Sequence, residues 1–174
     1  DMQKINTRQR IVKIVVQVLL YAFLILMAVI IGIPTGIFSA IRQYSWIDNC
    51  SMVVALLGVS MPNFWLGLML IIIFSVTLGW LPTGGSDGIR YLILPATTVG
   101  LGLAALITRT TRSNLLDVMS MDYIRTARAK GLSQSKLIVK HALGNALIPV
   151  LTVIGLGLGN LLGGMVLVET IFNW

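Results

Sequence analysis

The stretch ALGNALIPVLTVIGLGLGNLLGGMVLV, residues 142–168, contains no Asp, Glu, Lys or Arg. A helix needs about 20 predominantly apolar residues to cross the hydrocarbon core of a bilayer, which is about 30 Å thick. The stretch is long enough for such a helix, and in lipid only a helix satisfies its own backbone N–H and C=O groups within one segment. It therefore predicts a membrane-spanning helix.

Three further segments of the chain have the same character. Residues 49–86 and 91–108 also lack Asp, Glu, Lys and Arg, and in residues 14–33 the one clearly polar side chain is Gln17. The chain of 174 residues is only 11% charged, whereas soluble proteins average about 25%. We predict an all-α, polytopic transmembrane helical bundle. Its expected spans are about 14–36, 52–78, 91–109 and 143–168.

Basic residues concentrate in one connection between the predicted spans. Lys and Arg occupy seven positions there: Arg109, Arg112, Arg125, Arg128, Lys130, Lys136 and Lys140. Positive residues favour the cytoplasmic side, so the loop of about 110–141 is predicted to be cytoplasmic. Basic residues before position 14 would then lie outside. An additional preceding span would explain this, and we expect the chain to be incomplete at both termini.

The basic connection contains DYIRTARAKGLSQSK, residues 122–136, whose residue order is typical of a helix, a turn and a second helix. Asp122 suits a helix start, where a carboxylate caps free N–H groups and meets the positive end of the helix dipole. Gly131 is placed for a left-handed C-terminal cap. Ser133 is placed to cap the following helix. A helix this short is marginal alone in water, so we expect it to pack against other structure.

Several uses of this basic loop remain open from the residues themselves. It could serve only to fix topology, or it could bind anionic lipid headgroups at about 1 kcal/mol per basic residue. Nucleic-acid binding is poorly supported, because the neighbours of the charge are membrane spans and no nucleic-acid-binding motif surrounds it. The helix–glycine–helix order favours a defined protein partner, which neither topology nor lipid binding requires.

The segment DYIRTARAKGLSQSKLIVKHALGNALIPV, residues 122–150, resembles the cytoplasmic loop of permease subunits in binding-protein-dependent ABC importers. The similar branch is that of dipeptide, oligopeptide and nickel importers. GVSMPNFWLGLMLIIIFSVTLGWLPTGG, residues 58–85, resembles the third span and outer loop of that branch. LILPATTVGLGLAALITRTTRSNLLDVM, residues 92–119, resembles its fourth span, and GNLLGGMVLVETIFNW, residues 159–174, resembles its fifth.

The resemblance implies a role for the basic loop. In that family the loop carries the EAA motif and forms a coupling helix, which sits in a groove on the ATP-binding subunit. Here Arg125, Thr126 and Ala127 occupy the E-A-A places, so Arg and Thr replace Glu and Ala. The implied coupling residues are Asp122, Tyr123, Arg125, Thr126, Ala127, Arg128, Ala129, Lys130, Gly131, Leu132 and Ser133.

The implied function is ATP-driven import of dipeptides or oligopeptides, in which this chain forms half of the translocation pathway. The implied partners are a second homologous permease, two ATP-binding subunits, an extracytoplasmic substrate-binding protein and membrane lipid, but no nucleic acid. The chain contains no G-x-x-x-x-G-K-[ST] phosphate loop, which is the motif that cradles nucleotide phosphates. ATP and Mg are therefore expected in the partner subunits, and no cofactor, metal or catalytic residue is expected here. The implied location is a bacterial or archaeal plasma membrane, the inner membrane in a Gram-negative cell.

Other functions remain as alternatives. Import of nickel or another small solute fits the same branch. A non-transport scaffold would recruit a cytoplasmic partner or anionic lipid through its basic loop. A channel or secondary transporter is disfavoured, because intramembrane charges and filter-like polar loops are missing from the apolar segments.

Two sets of residues inside the apolar segments are further candidates. Ser60 and Asn63 flank Pro62, which interrupts a helix, and their polar groups could line the pathway or bond to a neighbouring helix. Glycines recur every four residues in two places, and such small-residue faces let helices approach closely in lipid. We predict helix packing at Gly155, Gly159 and Gly163, within the chain or against the second permease. Gly32 and Gly36 have the same spacing.

Overall fold

The computed structural model describes residues 2–85, 88–162 and 166–173, and no β-strand occurs among them. The α-helices in chain order are α1 (Met2–Ile41), α2 (Trp46–Ser60), α3 (Asn63–Leu70), α4 (Ile89–Met119), α5 (Asp122–Ala129), α6 (Gln134–Lys136), α7 (Leu143–Leu162) and α8 (Val166–Ile171). Two π-helical segments, Ile71–Thr77 and Leu137–Ala142, continue α3 and join α6 to α7. The predicted all-α fold is confirmed.

Within the described residues, three helices are long and apolar enough to cross a membrane: Tyr21–Ile41, Ile89–Met119 and Gln134–Asn160. These helices overlap three of the predicted spans. The two that flank the basic connection extend beyond the predicted span limits, because each helix continues past its uncharged segment into the basic connection. The connection between them is consequently shorter than the predicted loop of 110–141, and most of it is the helix α5.

The predicted span at 52–78 is divided into two helices. The axis of α2 and that of α3 with its π-helical continuation differ in direction by 105°. Pro62 stands immediately before α3, and it has no N–H to continue the hydrogen-bonding of α2. Met61 is extended, with φ −77° and ψ 126°, as the clash with a following proline ring favours. The interruption at Pro62 is as predicted, and the two helices together have the length and apolar composition of one broken span or of a re-entrant segment.

Helices α1 and α4 form the central packed pair. They approach closely because glycines of α1 face α4. A Cβ added at Gly32 would lie 2.7 Å from Cγ2 of Ile107, and one added at Gly36 would lie 2.6 Å from the carbonyl oxygen of Thr108. No real side chain accommodates such distances, so this pair of helices requires glycine at both positions.

Buried apolar side chains form three clusters along the length of α1 and α4. One end of the bundle is packed by Tyr21, Leu24, Leu94, Ala96, Val99, Val168 and Phe172. The middle is packed by Ala28, Ala104, Ile107 and Val150. The other end is packed by Ala40, Leu115, Val118, Ile124, Leu137, Ile138, Ala142 and Ala146. This last group, the loop-end cluster, is the one that contacts α5.

Candidate functional site

Helix α5 is the short basic helix predicted in the DYIRTARAKGLSQSK stretch. It has eight residues, and the residue before it is Met121, with φ −70° and ψ 151°. Asp122 is the first helical residue, so the predicted helix start is confirmed, but the N-cap position is occupied by Met121 and the predicted capping role of Asp122 is wrong. The Asp122 carboxylate lies 3.5 Å from Nη1 of Arg125, and both side chains are mostly exposed. The carboxylate still stands at the positive end of the helix dipole.

The end of α5 is a Schellman motif. Gly131 has φ 84°, which is the left-handed conformation predicted for it. The N–H of Gly131 donates to the carbonyl of Arg128 at 3.0 Å, and the N–H of Leu132 donates to that of Ala127 at 3.4 Å, the bond pair that defines this motif. Ser133 occupies the predicted position directly before α6, but its side chain makes no capping hydrogen bond. The predicted helix–glycine–helix order is therefore confirmed.

One apolar side chain fixes α5 to the rest of the chain. Ile124 is 0% exposed and belongs to the loop-end cluster, against which Ala127 and Leu132 also pack. The other members of the cluster come from α1, α4, the π-helical segment after α6 and α7. A displacement of α5 would therefore act on a cluster whose members come from four other elements.

A polar contact adds to this attachment. The Asn145 side chain of α7 donates from Nδ2 to the hydroxyl of Tyr123 at 2.9 Å. That hydroxyl donates in turn to the carbonyl oxygen of His141 at 3.4 Å. Tyr123 thus joins the start of α5 to α7, the helix that lies in the uncharged segment 142–168.

The remaining side chains of α5 and its C-terminus face outward. Arg125 is 72% exposed, and Arg128, Ala129 and Lys130 are exposed as well. The Thr126 hydroxyl donates to the backbone carbonyl of Asp122 at 2.9 Å. The helix therefore has one buried face that holds it to the bundle and one basic face that this chain leaves open.

The two polar residues predicted near the pathway stand at the bend between α2 and α3. Both Ser60 and Asn63 are exposed. Asn63 lines a cavity of about 410 Å³ bounded by α2, α3, α4 and α7, whose wall also includes Gly58, Gly102, Gly157 and Asn160. Ser60 is not part of its wall. The structure therefore separates the two candidates and brings Asn63 together with a second amide, Asn160, that the sequence analysis had not selected.

The glycines predicted to pack in α7 have different surroundings from those of α1. A Cβ added at Gly155 or Gly159 would meet nothing within 4 Å, and Gly163 lies outside the described residues. The close contact of α7 with α4 is at Gly157 instead, where an added Cβ would lie 2.8 Å from Cδ1 of Leu103. Gly155 and Gly159 therefore do not pack against other described residues, and their packing against a second permease stays a prediction.

A buried ion pair that is not among the predicted site residues lies beside the loop-end cluster. Asp48 is 1% exposed, and its two oxygens accept from Nε and Nη2 of Arg112 at 2.5 and 2.7 Å. The hydroxyl of Ser39 also donates to Oδ1, and the backbone N–H of Tyr44 donates to Oδ2 at 2.9 Å. The sequence contained a signal for this pair. Asp48 immediately precedes the uncharged segment 49–86, and Arg112 follows shortly after the uncharged segment 91–108.

Comparison with known proteins identifies the family. Residues 32–174 match the family described as "Binding-protein-dependent transport system inner membrane component". The chain belongs to this family. The match includes α2 to α8 and the end of α1 from residue 32 onward. It confirms the resemblance to permeases of ABC importers that the loop and span motifs indicated.

Individual relatives point to the same branch. The chain is 51% identical over 147 residues to the glutathione transport system permease protein GsiC of Escherichia coli strain K12. GsiC of Shigella boydii serotype 4 is 50% identical over the same length. In both cases the aligned region includes 84% of this chain and 48% of the relative. The chain thus spans about half the length of these curated relatives, and the likeness confirms the peptide branch of the family.

Proposed function

We propose that this chain is part of the transmembrane subunit of an ATP-driven importer and that α5 couples it to a separate ATPase subunit. The observation that carries the proposal is the two-sided character of α5. Its buried face holds Ile124 in the loop-end cluster, while Arg125, Arg128 and Lys130 face outward. A lipid-binding loop needs only the charge, whereas a force-transmitting contact needs the buried anchor as well.

The exposed side of α5 fits a groove with acidic residues at its rim. Ala129 lies between Arg128 and Lys130 and is exposed, so a partner surface can approach the backbone there. Two ATPase subunits closing on ATP would move two such helices, one from each permease of the complex. The pathway would then lie between the two permeases, in the bacterial plasma membrane, which is the inner membrane in a Gram-negative cell.

A small peptide is the proposed cargo. The relatives that are 51% and 50% identical over 147 residues are named for glutathione transport, and glutathione is itself a short peptide. The amides Asn63 and Asn160 in the wall of the cavity at the α2–α3 bend supply hydrogen-bonding groups of the kind that peptide bonds require. An extracytoplasmic binding protein would deliver the peptide to the outer face of the complex.

Site-specific crosslinking tests the coupling role. A photoreactive amino acid at position 129 of the full-length protein, in membranes of the native host, is expected to capture an ATP-binding subunit, identified by mass spectrometry. The matched control is position 80, because Trp80 is also exposed but lies in the connection between the α3 segment and α4, at the opposite end of the bundle. Position 80 should give no ATP-binding subunit.

The outcomes separate the proposal from a lipid-binding scaffold. Capture of an ATP-binding subunit from position 129 alone supports coupling through α5. Capture of lipid alone from position 129, with an assembled complex and efficient incorporation, would contradict it. Uptake of labelled glutathione and of a labelled dipeptide in the same membranes, with and without ATP, tests the cargo separately.

A further inference from the structure

The ion pair of Asp48 and Arg112 joins three helices at the end of the bundle that contacts α5. Asp48 is in the first turn of α2, Arg112 is on α4, and the third partner, Ser39, is on α1. The turn between α1 and α2 contributes the N–H of Tyr44. Both carboxylate oxygens are engaged, and the guanidinium contacts them through two nitrogens, an arrangement that fixes direction as well as distance.

The pair is continuous with the anchor of α5. Ala40 follows Ser39 on α1, Leu115 lies one turn beyond Arg112 on α4, and both belong to the loop-end cluster that surrounds Ile124. On its other side, the pair holds the beginning of α2, whose far end is the bend at Pro62 and the cavity lined by Asn63. It is thus the polar link between the α5 anchor and the α2–α3 segment.

Without the ion pair, apolar contacts would hold α2 only weakly against the other helices. Most side chains of α2 are exposed or half-buried, and its buried residues are Asp48 and Ala55. Its contact with α4 includes Gly58, where an added Cβ would lie 2.9 Å from Cβ of Ala105. Small side chains such as Ala55 and Gly58 permit close approach but resist sliding poorly, whereas a two-nitrogen ion pair resists it well.

We propose that the Asp48–Arg112 pair is a positioning device for transport, which makes α2 move with α1 and α4 when α5 is displaced. The inference rests on the proposed coupling function of α5. Without the pair, the ATPase subunits would still dock and hydrolyse ATP, but the displacement would reach the α2–α3 bend incompletely. The expected defect is therefore hydrolysis without transport.

The test uses the intact importer, purified and reconstituted in proteoliposomes, with labelled glutathione and a labelled dipeptide as probes. Asp48→Asn and Arg112→Gln remove one charge each with little change of shape. Their matched controls are Asp117→Asn and Arg109→Gln. Both of these residues are on α4, the helix that carries Arg112, and both are exposed. Uptake and ATP hydrolysis are measured in the same vesicles, and the readout is peptide imported per ATP hydrolysed.

The expected result is a fall of about tenfold in peptide imported per ATP for either pair variant, which lies in the range of measured coupling effects. Hydrolysis should stay within about twofold, and the double variant should be no worse than either single variant, as for residues that act as one unit. The controls should match the wild type. If a charge-removed variant fails to assemble, Arg112→Lys keeps the charge but loses the second bond, and a partial fall in peptide per ATP is expected.

Three results would overturn the proposal. One is an unchanged peptide-to-ATP ratio in assembled variants, Arg112→Lys included. Another is a parallel fall of hydrolysis and uptake, which a purely stabilising pair would give. The third is an equal defect in the Arg109 and Asp117 controls. If wild-type uptake itself does not depend on ATP, the coupling function fails first, and that failure is visible before any variant is compared.

Discussion

Two pairs of glycines share one spacing and have opposite surroundings. Gly32 and Gly36 are packed so tightly against α4 that an added Cβ at either would overlap its atoms, whereas Gly155 and Gly159 face open space. The four-residue interval indicates a flat helix face in both cases. It does not specify which partner covers that face. In α1 the partner is in the same chain, and in α7 it is not among the described residues.

A third glycine is required for another reason. Gly131 has open space around its Cα but a φ of 84°, so its constraint is conformational. The glycines thus fall into three cases: Gly32 and Gly36 are closely packed, Gly155 and Gly159 face open space, and Gly131 has a left-handed backbone conformation. The effects of substitutions at these positions should differ in size and in sign. They should also fall on different properties: folding of the subunit, uptake of peptide, or assembly with a second permease.

The largest effect is expected at Gly36. Gly36→Val would place its Cβ 2.6 Å from the carbonyl oxygen of Thr108 and from Cβ of Thr111, and backbone cannot move aside cheaply. Overpacking of a tight interface costs about 1–3 kcal/mol or more. We expect loss of folded protein, measured as the yield of the monodisperse full-length permease in detergent.

The matched control for Gly36 is Gly144→Val in α7. An added Cβ at Gly144 meets nothing within 4 Å, so the same change of residue should leave the yield nearly unchanged. An equal yield for the two variants would mean that α1 and α4 do not approach as closely as described.

A smaller but more specific effect is expected at Gly131. Valine in the left-handed region costs about 1–3 kcal/mol, concentrated at the Schellman motif that ends α5. The protein should insert and assemble, while uptake of labelled peptide falls several-fold. Gly131→Asn is the control, because Asn tolerates this conformation, and it should retain most of the uptake. Normal uptake by the valine variant would contradict the importance of the turn.

The next effect in size is expected at Gly159, on assembly of the subunit with a second permease. Gly159→Leu adds a large side chain where this chain leaves room, so the yield of the single subunit should not fall. If the face meets a second permease, the two subunits should co-purify less, by about an order of magnitude for a loss near 1.4 kcal/mol. Undiminished co-purification would place this face toward lipid. Val139→Leu, at another exposed position, controls for added bulk.

The sequence predicted what depends on local pattern and not what depends on helix register. Uncharged length predicted the helices that cross the membrane, and Gly131 predicted the turn after α5. The 105° bend depends on how α2 and α3 pack, and a proline alone specifies only an interruption. The Asp48–Arg112 pair joins residues 64 positions apart, which requires knowing which faces of α2 and α4 meet. The same information decides which glycine face is covered.

The smallest effect should distinguish the two glycine pairs by its sign. Gly155→Ala adds a methyl group in open space and removes the entropic cost of glycine in a helix, so it should stabilise the subunit by about 0.5–1 kcal/mol. Gly32→Ala gains the same helix propensity but places its Cβ 2.9 Å from the carbonyl oxygen of Ala104, and it should destabilise. Thermal unfolding of the full-length permease in one detergent measures both. A shift in the same direction for the two variants would show that close packing does not separate these helix faces, because helix propensity alone would then account for both results.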